Sequence, residues 1–412
     1  KFCIRLSMTQ TLLRAVTALA DSYTPEMVTF LRDMIAIPSE STCEQDVIAR
    51  VRAEMERAAF DEIRIDGLGN ILGRVGSGNT VVALDGHLDT VGVGDPSTWT
   101  RDPYKGELKN GIIYGRGAGD QEAGIAAAVH GARIAKELRL LDDVQLWVTG
   151  TVMEEDCDGL CWQYILREKV LAPDVVVITE PTNLGVYRGH RGRMEMEVRT
   201  QGLSAHGSMP DRGVNAVYTM APIVADIERL NQRLSAKPDA FLGAGTVTIA
   251  EICSTAPSLC AVADSCTIHL DRRLTRGETL ESAVAEIQAL ESVQRAGAVV
   301  TVLDYARASY TGLTYPTKKY YPTWVLEESE PAIVAAASAA EHALGERPRI
   351  ARWNFSTNAV ATCGMFKVPT VGFGPGHEIF AHTPEDQCPV AHLTAAARFY
   401  ALFPRAFAEV GS

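Results

Sequence analysis

Carboxylate and imidazole side chains recur in this chain after hydrophobic strand-like runs: His87 with Asp89, then Asp120, then Glu154 and Glu155 followed by Glu180, and finally His382. They are spread over almost three hundred residues, so a fold that uses them together must bring distant strand ends to one pocket. Hard carboxylate oxygens mixed with imidazole nitrogens suit a borderline cation such as zinc. The pattern points to a metallohydrolase.

Composition narrows the alternatives. A length of 412 residues exceeds one typical core and implies two domains. Acidic residues outnumber basic ones 51 to 39, a net charge of -12 that repels a phosphate backbone and an anionic membrane surface. Nucleic acid and membrane are therefore excluded as expected partners, leaving a small molecule. No apolar run approaches a bilayer span, and Lys1 to Ser7 lacks the apolar core of a secretory signal. Met8 reads as the natural start, with additional residues before it. Nine cysteines, an odd number scattered from Cys3 to Cys388, make no disulfide framework, and a cytoplasmic, reducing location fits best.

Alternating helical and strand-like segments favour an α/β class with a largely parallel sheet. Helical spacing covers Pro25 to Ala36, Glu44 to Ala59 and Gln121 to Leu138; strand-like runs are Ile63 to Val75 (turned at Gly67 and Gly69), Val81 to Leu84, Val144 to Val152 and Asp174 to Thr179. From about Gly185 the texture changes to half-polar strands (Arg193 to Thr200, Thr246 to Ile252, Thr267 to Leu270, Ala298 to Leu303) around helices Asn215 to Leu230 and Gly277 to Leu290. That suggests a smaller sheet with helices on one face. A helix at Pro331 to Leu344 and an apolar strand at Val368 to Phe373 resume the first style. The expected organisation is a discontinuous larger domain, 8–185 and 305–412, with 186–304 inserted.

Each motif has a plain and a chemical reading. In Gly86-His87-Leu88-Asp89-Thr90, residues two apart on an extended backbone share a face, so Asp89 can orient a metal-bound His87. A buried histidine bonded to a neighbour fits this motif equally well. Gly115-Arg116-Gly117-Ala118-Gly119-Asp120 resembles a nucleotide cradle, but Asp120 stands where the third glycine belongs and would repel a phosphate. An N-cap is the plain alternative for Asp120; a bridging metal carboxylate explains the acid better. After the strand Val144 to Val152, the adjacent acids Glu154 and Glu155 taken alone read as a solvated acidic loop; in the chemical reading they cannot point the same way, so one can ligate while the other takes a proton from metal-bound water. Glu154 suits the base and Glu155 the ligand. Glu180 ends the next strand, where open α/β sheets place ligands. Gly372-Phe373-Gly374-Pro375-Gly376 is expected to offer free amides, Gly374 and Gly376, to a substrate carboxylate or carbonyl, and His382 to supply the last ligand.

The order His-x-Asp-Thr, Gly-Arg-Gly with Asp three residues on, Glu-Glu, Glu-Pro-Thr and Ala-His-Thr-Pro resembles the M20 family of di-zinc peptidases and deacylases over essentially the whole chain after Met8. The resemblance implies that Asp120 bridges two metals, that His87 and Glu180 complete one site and Glu155 and His382 the other, and that Glu154 is the general acid and base. It implies a zinc-peptidase-like catalytic domain with an inserted α+β, ferredoxin-like lid that also makes a homodimer. Gly202-Leu203-Ser204-Ala205-His206 with Pro210, Gly213 and Asn215 is similar to the lid motif whose histidine stabilises the oxyanion, often across the dimer. Asp271-Arg272-Arg273 matches an Asp-x-Arg element, making Arg273 a candidate carboxylate clamp; a structural pair with Asp271 is the equal alternative.

Three stretches narrow the resemblance to the YgeY-type hydrolases, a subgroup named for a genomic association with selenium metabolism: 154–162, 187–193 and 260–266. Within them Cys157 and Cys161 read as packing, since two thiolates alone make a poor metal site. Two departures from the wider family bear on substrate choice. Cys260 stands where many members have Asn, and Asp386 where the last motif ends in Glu. The implied reaction is hydrolysis of an amide C–N bond in a peptide or N-acyl amino acid by a hydroxide bridging two metals, with Glu154 passing the proton to the leaving nitrogen. Zinc is the default, and cobalt or manganese suits the same donors. Relatives that hydrolyse N-carbamoyl or ureide groups tend to carry His at the position of Glu180; a non-catalytic metal-binding protein would be expected to lack the base.

Overall fold

The computed structural model describes residues 8–411; Lys1 to Ser7, including Cys3, lie outside the described residues. The expected fold class holds: a mixed α/β molecule around a central, mostly parallel sheet.

Four short apolar runs that are buried along most of their length form the middle of that sheet, as strands covered on both faces must be. Val144–Thr151, Thr80–His87, Val175–Ile178 and Thr370–Gly372 lie side by side and parallel, with His87 opposite Thr151 and Asp85 opposite Ile178. The hairpin Glu62–Ile65 and Ile71–Val75 extends one edge antiparallel, and Val186–Tyr187 with Ile350–Ala351 extends the other. The parallel order aligns the carboxyl ends of three strands, which is what delivers His87, Glu154–Glu155 and Glu180 to one place.

Asp120 and His382 arrive differently from the strand-end expectation. Asp120 follows the small hairpin Glu107–Lys109 and Ile112–Tyr114 through a glycine-rich turn, and His382 follows a short helical turn, Glu378–Phe380. The helix after Asp120 is Glu122–Glu137, with Gln121 at its cap position, so Asp120 is not the N-cap.

Two helices outrun their sequence signals. The first runs Gln10–Ile35 straight through Pro25, although an interior proline loses a bond and crowds the preceding turn. Burial of Val16 and Ala20 before the proline, and of Met27, Phe30, Leu31 and Met34 after it, holds both halves on one core. The last helix, Val390–Gly411, likewise passes through Pro404 and has no counterpart in the expected elements. It packs against Glu122–Glu137 at Gly131, where an added Cβ would stand 2.7 Å from Tyr400 Cβ.

Residues from about Met194 to Val302 build a second core around Met194, Met196, Ile223, Ile268 and Leu270. Its strands Gly192–Gln201 and Ser265–Leu274 alternate buried and partly exposed positions, the signature of a sheet with one face covered. Strand, helix, two strands, helices and strand follow in sequence: Gly192–Gln201, Ala216–Ser235, Thr246–Thr255, Ser265–Leu274, Leu280–Gln288 with Glu291–Ala296, Val299–Val302. The second strand lies at one edge and the last at the other, all antiparallel, which is the ferredoxin-like order. Val186–Tyr187 belongs to the larger sheet, and Tyr320–Tyr321 pairs back onto the smaller one at Arg193 and Met194.

Candidate active site

His87, the last residue of its strand, is 1% exposed. Its Nδ1 meets the main-chain carbonyl of Asp89 at 2.8 Å, while the Asp89 carboxylate stands 3.7 Å away. The orienting bond thus comes from the Asp89 backbone. A proton held there on Nδ1 leaves Nε2 facing inward, 3.2 Å from Asp120 Oδ1, 3.4 Å from Glu180 Oε1 and 3.9 Å from Glu154 Oε2. The other Asp120 oxygen, Oδ2, stands 3.3 Å from His382 Nε2, which is 3.0 Å from Glu155 Oε2. One carboxylate therefore divides between two histidines, each accompanied by a further acid.

The Asp89 carboxylate has different work. It accepts Ser41 Oγ–H at 2.6 Å and the backbone N–H groups of Glu154 at 3.1 Å and Glu155 at 2.9 Å, pinning the turn that carries both acids. Asp386 does the same for the glycine-rich turn before Asp120, accepting from Gly117 N and Gly119 N, each at 2.8 Å, and from Arg116 at 3.3 Å. Its motif spacing marked the residue in the sequence, but the long-range amide contacts did not show there. Neighbouring Glu385 instead faces Thr100 and Arg101 at the surface.

So much buried charge moves the ionisation of the clustered histidines and acids. Burial pulls the His87 pKa down, but the carboxylates of Glu154, Asp120 and Glu180 outweigh it and hold it well above its ordinary value. Asp120 and Glu155 push His382 up to about 10, and against burial the two histidines hold Asp120 below the usual carboxylate range. Burial, then the charge of Asp120, raises Glu180 to about 8. Burial also lifts Glu154 well above its usual range. Two buried oxygens here, Glu154 Oε1 and Glu180 Oε2, have no hydrogen-bond partner among the described residues. Unpartnered buried carboxylate oxygens beside two imidazole nitrogens, around a split Asp120, fit a pair of divalent cations.

These residues open into a cavity of about 380 Å³ lined by Asp120, Glu154, Glu155, Glu180 and His382, with Asp158, Arg193, Arg273, Phe355, Ser356 and Glu378 beyond them. A larger cavity, about 610 Å³, lies where the strands begin, beside Thr80 and Val144, and offers no imidazole. Chemistry, not size, selects the site. A third acid and imidazole group, Glu26, Glu54 and His130, is already compensated: Arg50 reaches Glu54 at 2.9 Å and Arg133 reaches Glu26 at 3.0 Å.

The expected substrate contacts fare unevenly. Arg273 lines the cavity while holding Asp271 with two bonds, 2.7 and 3.0 Å, so both of its readings stand together. Asn215 does not line it; its side-chain oxygen caps the helix Ala216–Ser235 at Val217 N, 2.9 Å. The free amides expected at Gly374 and Gly376 are already used, one by Thr182 Oγ1 at 2.9 Å and the other by His392 Nδ1 at 3.3 Å. Glycine is required at 374 by packing, since a Cβ there would stand 2.1 Å from the carbonyl of Thr179. His206 is exposed on the smaller domain, bonded to Ser208 Oγ at 2.7 Å and outside the cavity lining. Cys260 is exposed beside it, its carbonyl accepting Gly207 N–H at 2.7 Å. Cys157 and Cys161 are buried thiols; burial pushes Cys157 up to about 12, and Cys161 Sγ bonds Asn358 Oδ1 at 3.1 Å.

Residues 83–406 match the model of peptidase family M20/M25/M40. The chain is 50% identical over 385 residues to the uncharacterized protein YgeY of Escherichia coli K12, covering 93% of this chain and 95% of that protein. It is 26% identical over 387 residues to acetylornithine deacetylase of Proteus mirabilis, covering 90% and 93% respectively. Among solved structures, the YXEP protein of Bacillus subtilis, described as a dinuclear metal-binding peptidase, superposes with a TM-score of 0.69 at 13% identity, over 95% of this chain and 99% of that one.

Proposed function

The chain belongs to peptidase family M20/M25/M40, and from that premise we propose that it is a two-metal hydrolase cleaving the amide C–N bond of a short peptide or N-acyl amino acid. The observation that carries this reading is the division of Asp120, one oxygen toward His87 and the other toward His382, with Glu154 Oε1 unpartnered beside them. His87 and Glu180 would hold one divalent cation, His382 and Glu155 the other, and Asp120 both. Bound cations supply Lewis-acid polarisation of the scissile carbonyl and a lowered pKa for the attacking water.

The chain's own residues supply the rest. Glu154, 5% exposed, takes the proton of the attacking water and delivers it to the leaving nitrogen. Its raised pKa suits the return step, and positive charge in the cavity brings it back toward neutrality. Arg273 receives a substrate carboxylate by exchanging part of its pairing with Asp271. His206 donates to the developing oxyanion. Because His206 stands exposed and outside the cavity lining, we assign it to a second copy of the chain, in a homodimer formed through the smaller domain. Exposed Leu203, Val214, Tyr218, Ile252 and Leu259 support that assignment. We read 8–185 with 305–412 as the catalytic unit and 186–304 as the lid, with the first junction nearer Gly192 because Val186–Tyr187 pairs in the larger sheet.

Metal content per chain, and hydrolysis of dipeptides, N-acyl amino acids and N-carbamoyl amino acids with zinc, cobalt or manganese, test the proposal. Metal-dependent cleavage of peptidyl or acyl substrates is expected. Cleavage of carbamoyl substrates alone would replace the substrate class, and metal bound without any cleavage would remove the enzyme reading.

A further inference from the structure

The segment joining the first two helices lies against the catalytic turn although more than forty residues separate it from His87. Ser39 Oγ donates to the carbonyl of Leu88 at 2.8 Å, and Ser41 Oγ to Asp89. Glu44, fully buried, ends the segment; its Oε1 accepts the backbone N–H groups of Thr42 and Met153, each at 3.0 Å. Its side chain makes no capping bond to the helix it precedes, Gln45–Arg57, so the carboxylate serves neither that helix nor solvent.

Three consecutive amides of the catalytic turn thus end on carboxylates: Met153 on Glu44, and Glu154 and Glu155 on Asp89. Met153 stands at φ 62°, in the left-handed region. That region is unfavourable for a residue with a side chain, which stays there only where its surroundings hold it. Among the described residues, the Met153 carbonyl takes Cys157 N–H at 3.1 Å, and Glu44 holds the amide.

We infer that Glu44 is a positioning residue, whose carboxylate fixes Met153 in the conformation that turns Glu154 and Glu155 into one cavity. This rests on the proposed roles of Glu154 as base and Glu155 as metal ligand, and assigns a function to a residue that no motif of the site contains.

The test compares Glu44→Ala, Glu44→Gln and Glu44→Asp in the full chain loaded with cobalt(II), reading the visible absorption spectrum together with kcat and KM for the best substrate. Glu44→Ala is expected to alter the spectrum and lower kcat by about 10- to 100-fold, with KM nearly unchanged. Glu44→Gln keeps an oxygen for the Met153 amide and is expected to match the parent spectrum and stay within about 3-fold in kcat. If the alanine variant does not fold, Glu44→Asp, whose shorter side chain withdraws the shared oxygen from the Met153 amide, takes its place. A parent-like spectrum in Glu44→Ala, a Glu44→Gln variant as impaired as the alanine one, or a loss confined to KM overturns the proposal. Glu154→Ala run alongside separates the two readings: if it turns over normally, the base assignment fails, while the cobalt spectrum still decides whether Glu44 positions Glu155.

Discussion

Asp120 and Glu154 sit on neighbouring segments of the site yet should fail in different ways. Asp120 faces both histidines, so Asp120→Ala is expected to release metal from both positions, read as metal per chain after dialysis. Glu154 approaches His87 only to 3.9 Å and keeps one oxygen free. Glu154→Ala should therefore retain metal while turnover drops by about 100- to 10,000-fold, the range for losing a general base; near-parent turnover in that variant would sink the mechanism. Two other candidate ligands, His382 and Glu180, give a pH dependence. With His382 raised to about 10 and Glu180 to about 8, both are expected to hold protons at neutral pH in the metal-free chain, which a bound cation would displace. Metal binding at pH 7 is thus expected to release protons, and affinity to climb as pH rises through 8 toward 10. Calorimetry in buffers of different ionisation enthalpy measures the release directly; no buffer dependence would mean that the ligands are already deprotonated.

At the scale of elements, the turn Gly115–Asp120 depends on Asp386, more than 260 residues away in the chain. Asp386→Ala would orphan two buried amides, at about 1–3 kcal/mol each, and should lower both Tm and metal affinity. Burial pushes Asp386 up to about 7, despite Arg116 and the two amides. Its folded pKa lies above the unfolded value of about 3.9, so its contribution is full below that value and declines as pH rises through 7. The Tm gap between the parent and Asp386→Asn should accordingly narrow from pH 5 to pH 8, and a widening gap would contradict the assignment. Such couplings explain what the sequence conveys and what it withholds. The buried strands under His87, Glu154 and Glu180 announce themselves by apolar runs that end in acids or imidazole, and the helix Pro331–Leu344 by its proline start and glycine stop. Pro25 and Pro404 conceal helices that tertiary burial sustains, and the hairpin before Asp120 is too short for periodicity to register. The amides of Gly374 and Gly376 look available in sequence because their acceptors, Thr182 and His392, are close only in the fold.

Across the whole molecule, the proposed site is divided between a cluster of candidate metal ligands on the larger domain, largely buried apart from His382, and an exposed His206 on the smaller one. If two copies pair through the lid, as proposed, a two-fold interface would offer each cavity the other's histidine. Complementation distinguishes this from action within one chain. A His206→Ala chain retains Glu154, and a Glu154→Ala chain retains His206, so each homodimer should be nearly inactive. In a mixed dimer formed across the interface, one cavity combines the intact Glu154 of one chain with the intact His206 of the other, and the second cavity lacks both. Equal mixing makes about half the dimers mixed, with one of two cavities working, so recovery of about one quarter of parent activity is expected. Recovery should also fade on dilution below the dimer dissociation constant. If His206 instead serves its own cavity, every cavity in the mixture lacks one of the two groups and no activity returns, while sedimentation of the mixture reports independently whether dimers formed.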